Sequence, residues 1–359
     1  MADLDSGLGE PGTLLARPEA LQPQVRWRPR HFAAIDLGTN NCRLLIARPA
    51  PGGFQVVDAF SRVVRLGEGL MESGRLSEAA IERAVAALGV CAEKLQRRSI
   101  VEVRSVATEA CRRASNAAEF VARVYQETGL ALDVIAPAEE ARLAVLGCQT
   151  LIDESQQQTI VFDIGGGSTE VILLERVAPE QEDARVTMDA GLGDTLRMRG
   201  WASIPWGVVS LAETEPREQP TPTARLEAYF RMKARVSQHL GDLRRIVGRD
   251  VGLLGASGTV TTLASLLMGL EHYDRRRVDG CWSETLRLKE LGRRLASQTH
   301  AERAAIPGVG SDRAELVVAG AAILEALLDV SRTDRIRVAD RGLREGILRS
   351  MMARAGALG

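Results

Sequence analysis

Two short motifs each place an aspartate just before a turn of small residues, between apolar stretches that predict strands. In "FAAIDLGTNNCRLLIAR" (32–48) the aspartate is Asp36, and in "IVFDIGGGSTEVILLE" (160–175) it is Asp163. The free backbone N–H groups of such turns can bind phosphate oxygens. A carboxylate beside bound phosphate requires a cation such as Mg²⁺ between the two. The alternative is that each aspartate only stabilises its own turn.

These two motifs align residue by residue. Their separation is 163 − 36 = 127 residues, which is too long for a repeat array and predicts two duplicated domains. A third turn of Gly, Ser and Thr follows another apolar strand in "VGLLGASGTVTTLA" (251–264). We therefore expect the three turns to converge on one ligand between the two domains.

Several charged side chains near these motifs are further candidates. Glu170 lies at the start of the strand that follows the glycines. It is either a second metal ligand or a solvent-facing strand residue. Glu139 and Glu140 start a predicted helix, where they stabilise its N-terminus or where either could be a general base. Successive helical residues point about 100° apart, so at most one of the pair faces a cleft. Arg112 and Arg113 present the same choice for an arginine that neutralises phosphoryl oxygens.

Strands and helices alternate along the chain, which predicts an α/β fold. Residues 1–30 are rich in Gly, Pro and charge without periodicity and predict a disordered tail. Domain I is predicted at 31–155 and domain II at 156–341. The predicted strands are a pair at 32–48, 54–60, 132–136, a hairpin from 159, and 335–340. The predicted helices are 76–98 with Ser77 as N-cap, one beginning near 138, 223–247, 259–270, 285–297, 313–330 and 342–354. The segment 100–114 is expected to switch from strand to helix near Thr108.

Composition limits the possible functions. The 359 residues carry a net charge of −1, with 45% apolar and 26% charged residues, so no global field recruits nucleic acid or membrane. Five scattered cysteines predict reduced thiols in a cytoplasmic protein, and four dispersed histidines indicate neither a metal cluster nor a His-based triad. Residues 251–270 carry no charge, yet their Gly, Ser and Thr content favours a buried strand, turn and helix over a membrane span. The P-loop and the GxSxG patterns are absent.

An ordered set of motifs resembles the exopolyphosphatase/guanosine pentaphosphate phosphohydrolase family, within the actin/hexokinase/Hsp70-like superfamily. The resemblance covers roughly residues 32–350. One departure is "NNC" at 40–42, where the family more often has Asn-Ser-Phe. The motifs are "DLGTNNCRLLIAR", "ATEACRRASN", "EEARLAVLG", "DIGGGSTE", "WGVVSLAE", "GASGTVTTLA", "ERAAIPGVGSDRAELVVAGAAIL" and "ADRGLREGIL".

The resemblance implies two ribonuclease-H-like (actin-like ATPase) domains around a central cleft, with helix 342–359 packing back on domain I. Glu140 matches the catalytic base and Arg112 the phosphate-contacting arginine, while Asp163 and Glu170, with Asp36 from the repeat, are the expected ligands of Mg²⁺ or Mn²⁺. The expected phosphate-binding residues are Gly38, Thr39, Asn40, Asn41, Gly165, Gly166, Gly167, Ser168, Thr169, Ser257, Gly258 and Thr259.

The function that this resemblance favours is hydrolysis of the terminal phosphoanhydride of inorganic polyphosphate. Alternatives are removal of the 5′ phosphate of pppGpp, a sugar or acetate kinase or Hsp70-like ATPase, and a sensor that binds (p)ppGpp or polyphosphate without cleavage. Because the sequence continues only briefly past "ADRGLREGIL", we expect the two-domain core without the C-terminal helical domains of longer family members. We expect no nucleic-acid or membrane partner, and a homodimer is possible.

Overall fold

The computed structural model describes residues 30–177, 195–216, 218–248 and 251–357. The predicted tail, apart from Arg30, lies outside these residues. Two mixed sheets form, which confirms the α/β prediction. The strands are β1 (His31–Leu37), β2 (Asn41–Ala50), β3 (Gly53–Val63), β4 (Ile100–Ala107), β5 (Leu132–Val134), β6 (Gln158–Ile164), β7 (Thr169–Arg176), β8 (Leu196–Ile204), β9 (Val251–Ala256), β10 (Trp282–Glu284) and β11 (Arg335–Ala339).

The two sheets repeat one topology. Sheet 1 has the order β3-β2-β1-β4-β5, and sheet 2 has the order β10-β11-β9-β6-β7-β8. In each sheet an antiparallel three-stranded meander (β1–β3 or β6–β8) is extended by two strands parallel to its first strand. Sheet 2 has one further strand at its edge, β10, which is antiparallel to β11. Asp36 pairs with Arg43 across the first hairpin, and Asp163 pairs with Glu170 across the second. The duplication seen in the sequence is therefore a duplication of strand register.

Helices cover both faces of each sheet. The predicted helix 223–247 is divided into α7 and α8, and the predicted helix 313–330 is divided into α13 and α14. The Ser77 hydroxyl accepts the Ala80 N–H, as an N-cap does. The helices are α1 (Leu70–Ser73), α2 (Glu78–Gln96), α3 (Glu109–Arg113), α4 (Ala117–Thr128), α5 (Pro137–Cys148), α6 (Val208–Ala212), α7 (Pro222–Ser237), α8 (Gly241–Ile246), α9 (Gly258–Leu267), α10 (Arg275–Val278), α11 (Thr285–Ser297), α12 (His300–Ala304), α13 (Gly310–Ala314), α14 (Leu316–Leu328) and α15 (Leu343–Arg354).

Residues 251–270 form β9 and α9, as the favoured interpretation predicted. Within the described ranges, no helix has both the length and the apolarity that a membrane crossing requires.

Three apolar cores hold the layers together. The outer face of sheet 1 packs on α2 and α4, and the outer face of sheet 2 packs on α7, α9, α11 and α14. The inner faces of both sheets share one core with α5 and α15. Helix α15 packs on β1 and β2, whereas α5 packs on β6, β7 and β8. The two helices therefore lie between the sheets, and their N-terminal ends approach the turns that follow β1 and β6. The domain boundaries inferred from the sequence stay predictions.

Helices α5 and α15 cross with their backbones in contact. A methyl group added at Gly346 would lie 1.8 Å from the carbonyl oxygen of Leu143, and one added at Gly147 would lie 1.9 Å from that of Gly342. Only glycine fits at either position without moving a helix. This contact fixes where the first turn of α5, with Glu139 and Glu140, sits relative to both sheets.

We expect Gly346→Ala to lower the free energy of unfolding by about 1–3 kcal/mol, because the helices must separate to admit the methyl group. Gly89→Ala is the matched control, since Gly89 is inside α2 and a methyl group there meets nothing within 4 Å. That control should gain about 0.5–1 kcal/mol from helix propensity. Urea unfolding measures both, and a Gly346→Ala protein as stable as the parent would refute the contact.

Candidate functional site

A cavity of about 330 Å³ lies between the two sheets, where β1, β6 and β9 end. The three predicted turns converge on it. From the first turn Gly38, Thr39, Asn40 and Asn41 line its wall, from the second Gly165, Gly166, Gly167 and Ser168, and from the third Ser257, Gly258 and Thr259. Thr169 is the exception, because its side chain is buried and its hydroxyl donates to the carbonyl oxygen of Trp206 at 2.8 Å.

The glycines of the second turn allow it to touch the first. A methyl group at Gly166 would lie 2.9 Å from Thr39 Cβ, and one at Gly167 would lie 2.6 Å from Thr39 Oγ1. One at Gly207, behind the turn, would lie 2.3 Å from the carbonyl carbon of Gly166. None of these three glycines has a left-handed φ. Close approach of neighbouring atoms, and not an unusual turn conformation, is therefore what requires glycine here. At Gly166 and Gly167 that neighbour is Thr39 of the other half.

Four carboxyl groups gather on the wall of the cavity. Asp36 and Asp163 are each the last residue but one of their strands, β1 and β6. Glu170 on β7 faces Asp163, and Glu140 is in the first turn of α5. The hydroxyls of Ser168 and Ser203 donate to Oε1 of Glu170 at 2.8 and 3.0 Å. These bonds fix the direction in which the Glu170 carboxylate points.

Burial and mutual repulsion raise the pKa values of these carboxyl groups. Burial, and then the charge of Glu170, raises the pKa of Glu140 to about 8. Burial, and then Glu140, raises the pKa of Asp163 to about 7, and burial with Asp163 raises that of Glu170 to about 7. Burial also raises the pKa of Asp36. Such a cluster is stabilised when a cation joins it.

The donor set suits a hard cation that shares its coordination with a ligand. In the part of the chain that the structure describes, no three His, Cys, Asp or Glu side chains stand close enough to hold a metal alone. Mg²⁺ is commonly held by one or two carboxylates, with phosphate oxygens and water completing its shell. The facing pair Asp163 and Glu170 fits that pattern, with phosphate oxygens from a ligand on the glycine turn.

Glu140, and not Glu139, faces the cavity. Glu139 turns away to accept hydrogen bonds from Arg104 at 3.0 Å and from Arg142 at 2.7 Å. Arg112 Nη1 donates to Glu140 Oε2 at 2.7 Å, and its Nε and Nη2 donate to Glu109 Oε2. The Arg112 guanidinium does not line the cavity wall. In this arrangement it positions Glu140 and does not itself reach the cavity.

Four charged wall residues were not predicted from the sequence: Arg43, Glu109, Asp312 and Arg313. The repeat contained the signal for Arg43, because 43 + 127 = 170 makes it the counterpart of Glu170. A methyl group placed on Gly258, in the third turn, would lie 4.0 Å from Nη2 of Arg43. Arg313 donates to the Thr262 hydroxyl at 2.8 Å.

The arginines of "YDRRRVDG" (273–280) do not line the cavity. Arg275 is held by Asp340 and Glu345, at 3.2 and 3.0 Å. Arg276 and Arg277 are exposed to solvent. The solvated-loop interpretation of this segment therefore fits better than a polyanion path.

Comparison with known proteins gives one consistent result. A sequence model described as the Ppx/GppA phosphatase family matches residues 45–355. A Haemophilus influenzae protein, whose name provisionally makes it an exopolyphosphatase, is 30% identical over 340 residues, covering 92% of this chain and 94% of its own.

Solved structures agree over the whole fold. The crystal structure of the Aquifex aeolicus Ppx/GppA family member has a TM-score of 0.72 at 30% identity, covering 91% of this chain and 98% of its own. That of a Cytophaga hutchinsonii exopolyphosphatase has a TM-score of 0.77 at 25% identity, covering 92% and 100%.

The raised pKa of Glu140 predicts a pH-dependent stability in the absence of divalent cations. Between the unfolded value of 4.5 and the folded value of about 8, the folded state retains a proton that the unfolded state has lost. Stability from this group therefore falls as pH rises through that window. Glu140→Gln removes the effect, so its melting temperature should exceed that of the parent near pH 8, with a smaller difference near pH 5.

Glu139→Gln is the comparator. Burial opposes ionisation of Glu139, but the hydrogen bonds from Arg142 and Arg104 prevail and lower its pKa. This variant should therefore be less stable than the parent once the pH is above the ordinary glutamate pKa. Melting curves in EDTA test both, and a pH-independent difference for Glu140→Gln would contradict the buried cluster.

Proposed function

The chain belongs to the Ppx/GppA phosphatase family and is a hydrolase of phosphoanhydride bonds, and we propose that it is an exopolyphosphatase. In this proposal it releases orthophosphate from the end of inorganic polyphosphate. The observation that carries the proposal is the convergence of three turns on one cavity whose wall includes Glu140. Turns rich in backbone N–H groups suit the terminal phosphates of a chain.

The cavity wall favours polyphosphate over pppGpp. Among the described residues that line it, none is aromatic. A nucleotide-specific site commonly stacks the base on an aromatic side chain. The turns and hydroxyls of this wall offer hydrogen bonds, and Arg43 and Arg313 offer positive charge beside the carboxylates. The same features suit every phosphate unit of an unsubstituted chain.

Glu140 is proposed as the general base. Its carboxylate takes a proton from water as the water oxygen attacks the terminal phosphorus, and the bond from that phosphorus to the bridging oxygen breaks. Arg112 holds one oxygen of Glu140 at 2.7 Å, which leaves the other oxygen for the water. The raised pKa makes the ionised carboxylate a stronger base. A cation held by the neighbouring carboxylates would favour that ionised form.

Asp163 and Glu170, with Asp36 nearby, would hold Mg²⁺ or Mn²⁺ together with the substrate. The ion would neutralise phosphate charge that these carboxylates would otherwise repel. A sensor without catalysis would gain affinity by losing the carboxylates, so their retention supports an enzyme. Arg43, on the opposite strand pair, supplies positive charge from the chain itself.

Glu140→Gln should lower turnover of polyphosphate by on the order of 10²–10⁴-fold, because the amide cannot accept the proton from water. Glu139→Gln, one residue away and directed at Arg104 and Arg142, should retain turnover close to that of the parent. Steady-state phosphate release measures both. Near-normal turnover in a folded Glu140→Gln protein would remove Glu140 from this role.

The substrate is tested by phosphate release, with Mg²⁺, from long-chain polyphosphate, pppGpp and ATP at matched phosphate concentration. We expect rapid release from polyphosphate, and loss of release when EDTA removes the metal. Release from pppGpp alone would assign the enzyme to alarmone conversion. No release from any of the three, with binding still measurable, would indicate a sensor.

A further inference from the structure

Glu109 is a charged residue on the cavity wall that the proposed reaction leaves without a role. It is the first residue of α3, a helix of five residues that ends at Arg113. Its side chain is 14% exposed, and a methyl group at Gly167 would lie 2.9 Å from its Cγ. The side chain of Glu109 therefore packs against the glycine turn of the other half, beside the place where phosphate is proposed to bind.

Arg112 links Glu109 to Glu140. Nε and Nη2 of Arg112 donate to Oε2 of Glu109 at 3.1 and 2.8 Å. Nη1 donates to Oε2 of Glu140 at 2.7 Å and to the carbonyl oxygen of Ile135 at 2.9 Å. Residues three apart lie on the same face of a helix, so the spacing of Glu109 and Arg112 on α3 allows their contact. All three guanidinium nitrogens are therefore engaged, and Nη1 is the one that meets Glu140.

The Arg112 guanidinium carries its charge between two carboxylates. Burial opposes that charge, but Glu140 and Glu109 prevail and raise the pKa of Arg112. Arg113 brings a second positive charge, with its Nη1 3.8 Å from Oε1 of Glu109. The negative charge that Glu109 places on the cavity wall is therefore opposed by two arginines.

We propose that Glu109 is a positioning residue for Glu140. Because its Oε2 engages Nε and Nη2, Glu109 holds the plane of the Arg112 guanidinium in an orientation in which Nη1 alone reaches Glu140. An arginine without such a partner commonly pairs with a carboxylate through two nitrogens, one on each oxygen. Glu109 thus keeps one oxygen of Glu140 open to the attacking water. This inference rests on the proposed function of Glu140 as the general base.

A crystal structure of Glu109→Ala tests the geometry without reference to activity. We expect the Arg112 guanidinium to rotate and to bind both carboxylate oxygens of Glu140, each at about 2.7–2.9 Å. A guanidinium that keeps its parent orientation, with the second oxygen of Glu140 still open, would overturn the proposal whatever the substrate is.

Steady-state phosphate release from polyphosphate tests the consequence. Glu109→Ala should lower kcat by about 10–100-fold, which is part of the effect of a general base. KM should stay within about threefold of the parent value, because the proposed role is to orient Glu140 and not to hold the substrate. Glu119→Ala, an exposed glutamate in the first turn of α4, is the matched control and should turn over as the parent does. A changed KM with an unchanged kcat would assign Glu109 to substrate binding instead.

Glu109→Gln separates the hydrogen bonds of Glu109 from its charge. Its side chain has nearly the same shape, and its amide oxygen can accept from Nε and Nη2 of Arg112 as the carboxylate does. Turnover should therefore lie closer to that of the parent than to that of Glu109→Ala. Equal losses in the two variants, when both melt at the temperature of the parent, would contradict the positioning role.

A double variant shows whether Glu109 acts through Arg112. In an Arg112→Met background, Glu109→Ala should change kcat by no more than about twofold further, because the group that Glu109 orients is already gone. Losses that multiply would show a role independent of Arg112 and refute the proposal. Near-normal turnover of Glu140→Gln would instead remove the proposed base, and the crystal structure of Glu109→Ala would still decide whether Glu109 orients Arg112.

Discussion

The backbone contact between α5 and α15 is the constraint on which the site depends. Each helix follows one sheet along the chain and packs on the inner face of the other, and Gly147 and Gly346 let them meet without side chains between them. The distance between the sheets is thereby set by two backbones. Because that distance is short, the turns after β1 and β6 touch, and the first turn of α5 enters the space where both strands end. A larger residue at the crossing would move Glu140 as well as destabilise the fold.

The electrostatics of the cavity follow from that geometry. Bringing two strand ends and a helix start together buries Asp36, Glu140 and Asp163 at one place, and burial raises the pKa of each. A protein selected only for stability would be expected to replace one of them with a neutral group. The retained charge is compatible with folding because Arg43 and Arg112 approach from the other sides. Arg112 also fixes the position of Glu140, because it donates a hydrogen bond to that carboxylate and does not itself line the cavity.

The sequence predicts those parts of the site that are encoded locally. Asp-containing turns after apolar strands are short-range signals, so the α/β fold and the convergence of three turns follow from pattern alone. Whether a side chain on a helix faces the cavity depends on how that helix is packed. The sequence therefore leaves Glu139 and Glu140 equivalent, and the ion pairs of Glu139 with Arg104 and Arg142 separate them. The family resemblance placed Thr169 among the phosphate-binding residues, yet strand alternation directs its hydroxyl to Trp206.

The duplicated hairpins also show how symmetry yields a directional site. Both halves place an aspartate at a strand end opposite a residue seven positions later, and the backbone register is the same. The partner is Arg43 in one half and Glu170 in the other, so equivalent positions carry opposite charge. One half then offers positive charge from the chain, while the other offers carboxylates that attract a metal ion. In the proposed reaction, a phosphate bound between the two halves would have unlike surroundings on its two sides. That asymmetry would orient the phosphate, and an in-line attack on phosphorus requires a defined orientation.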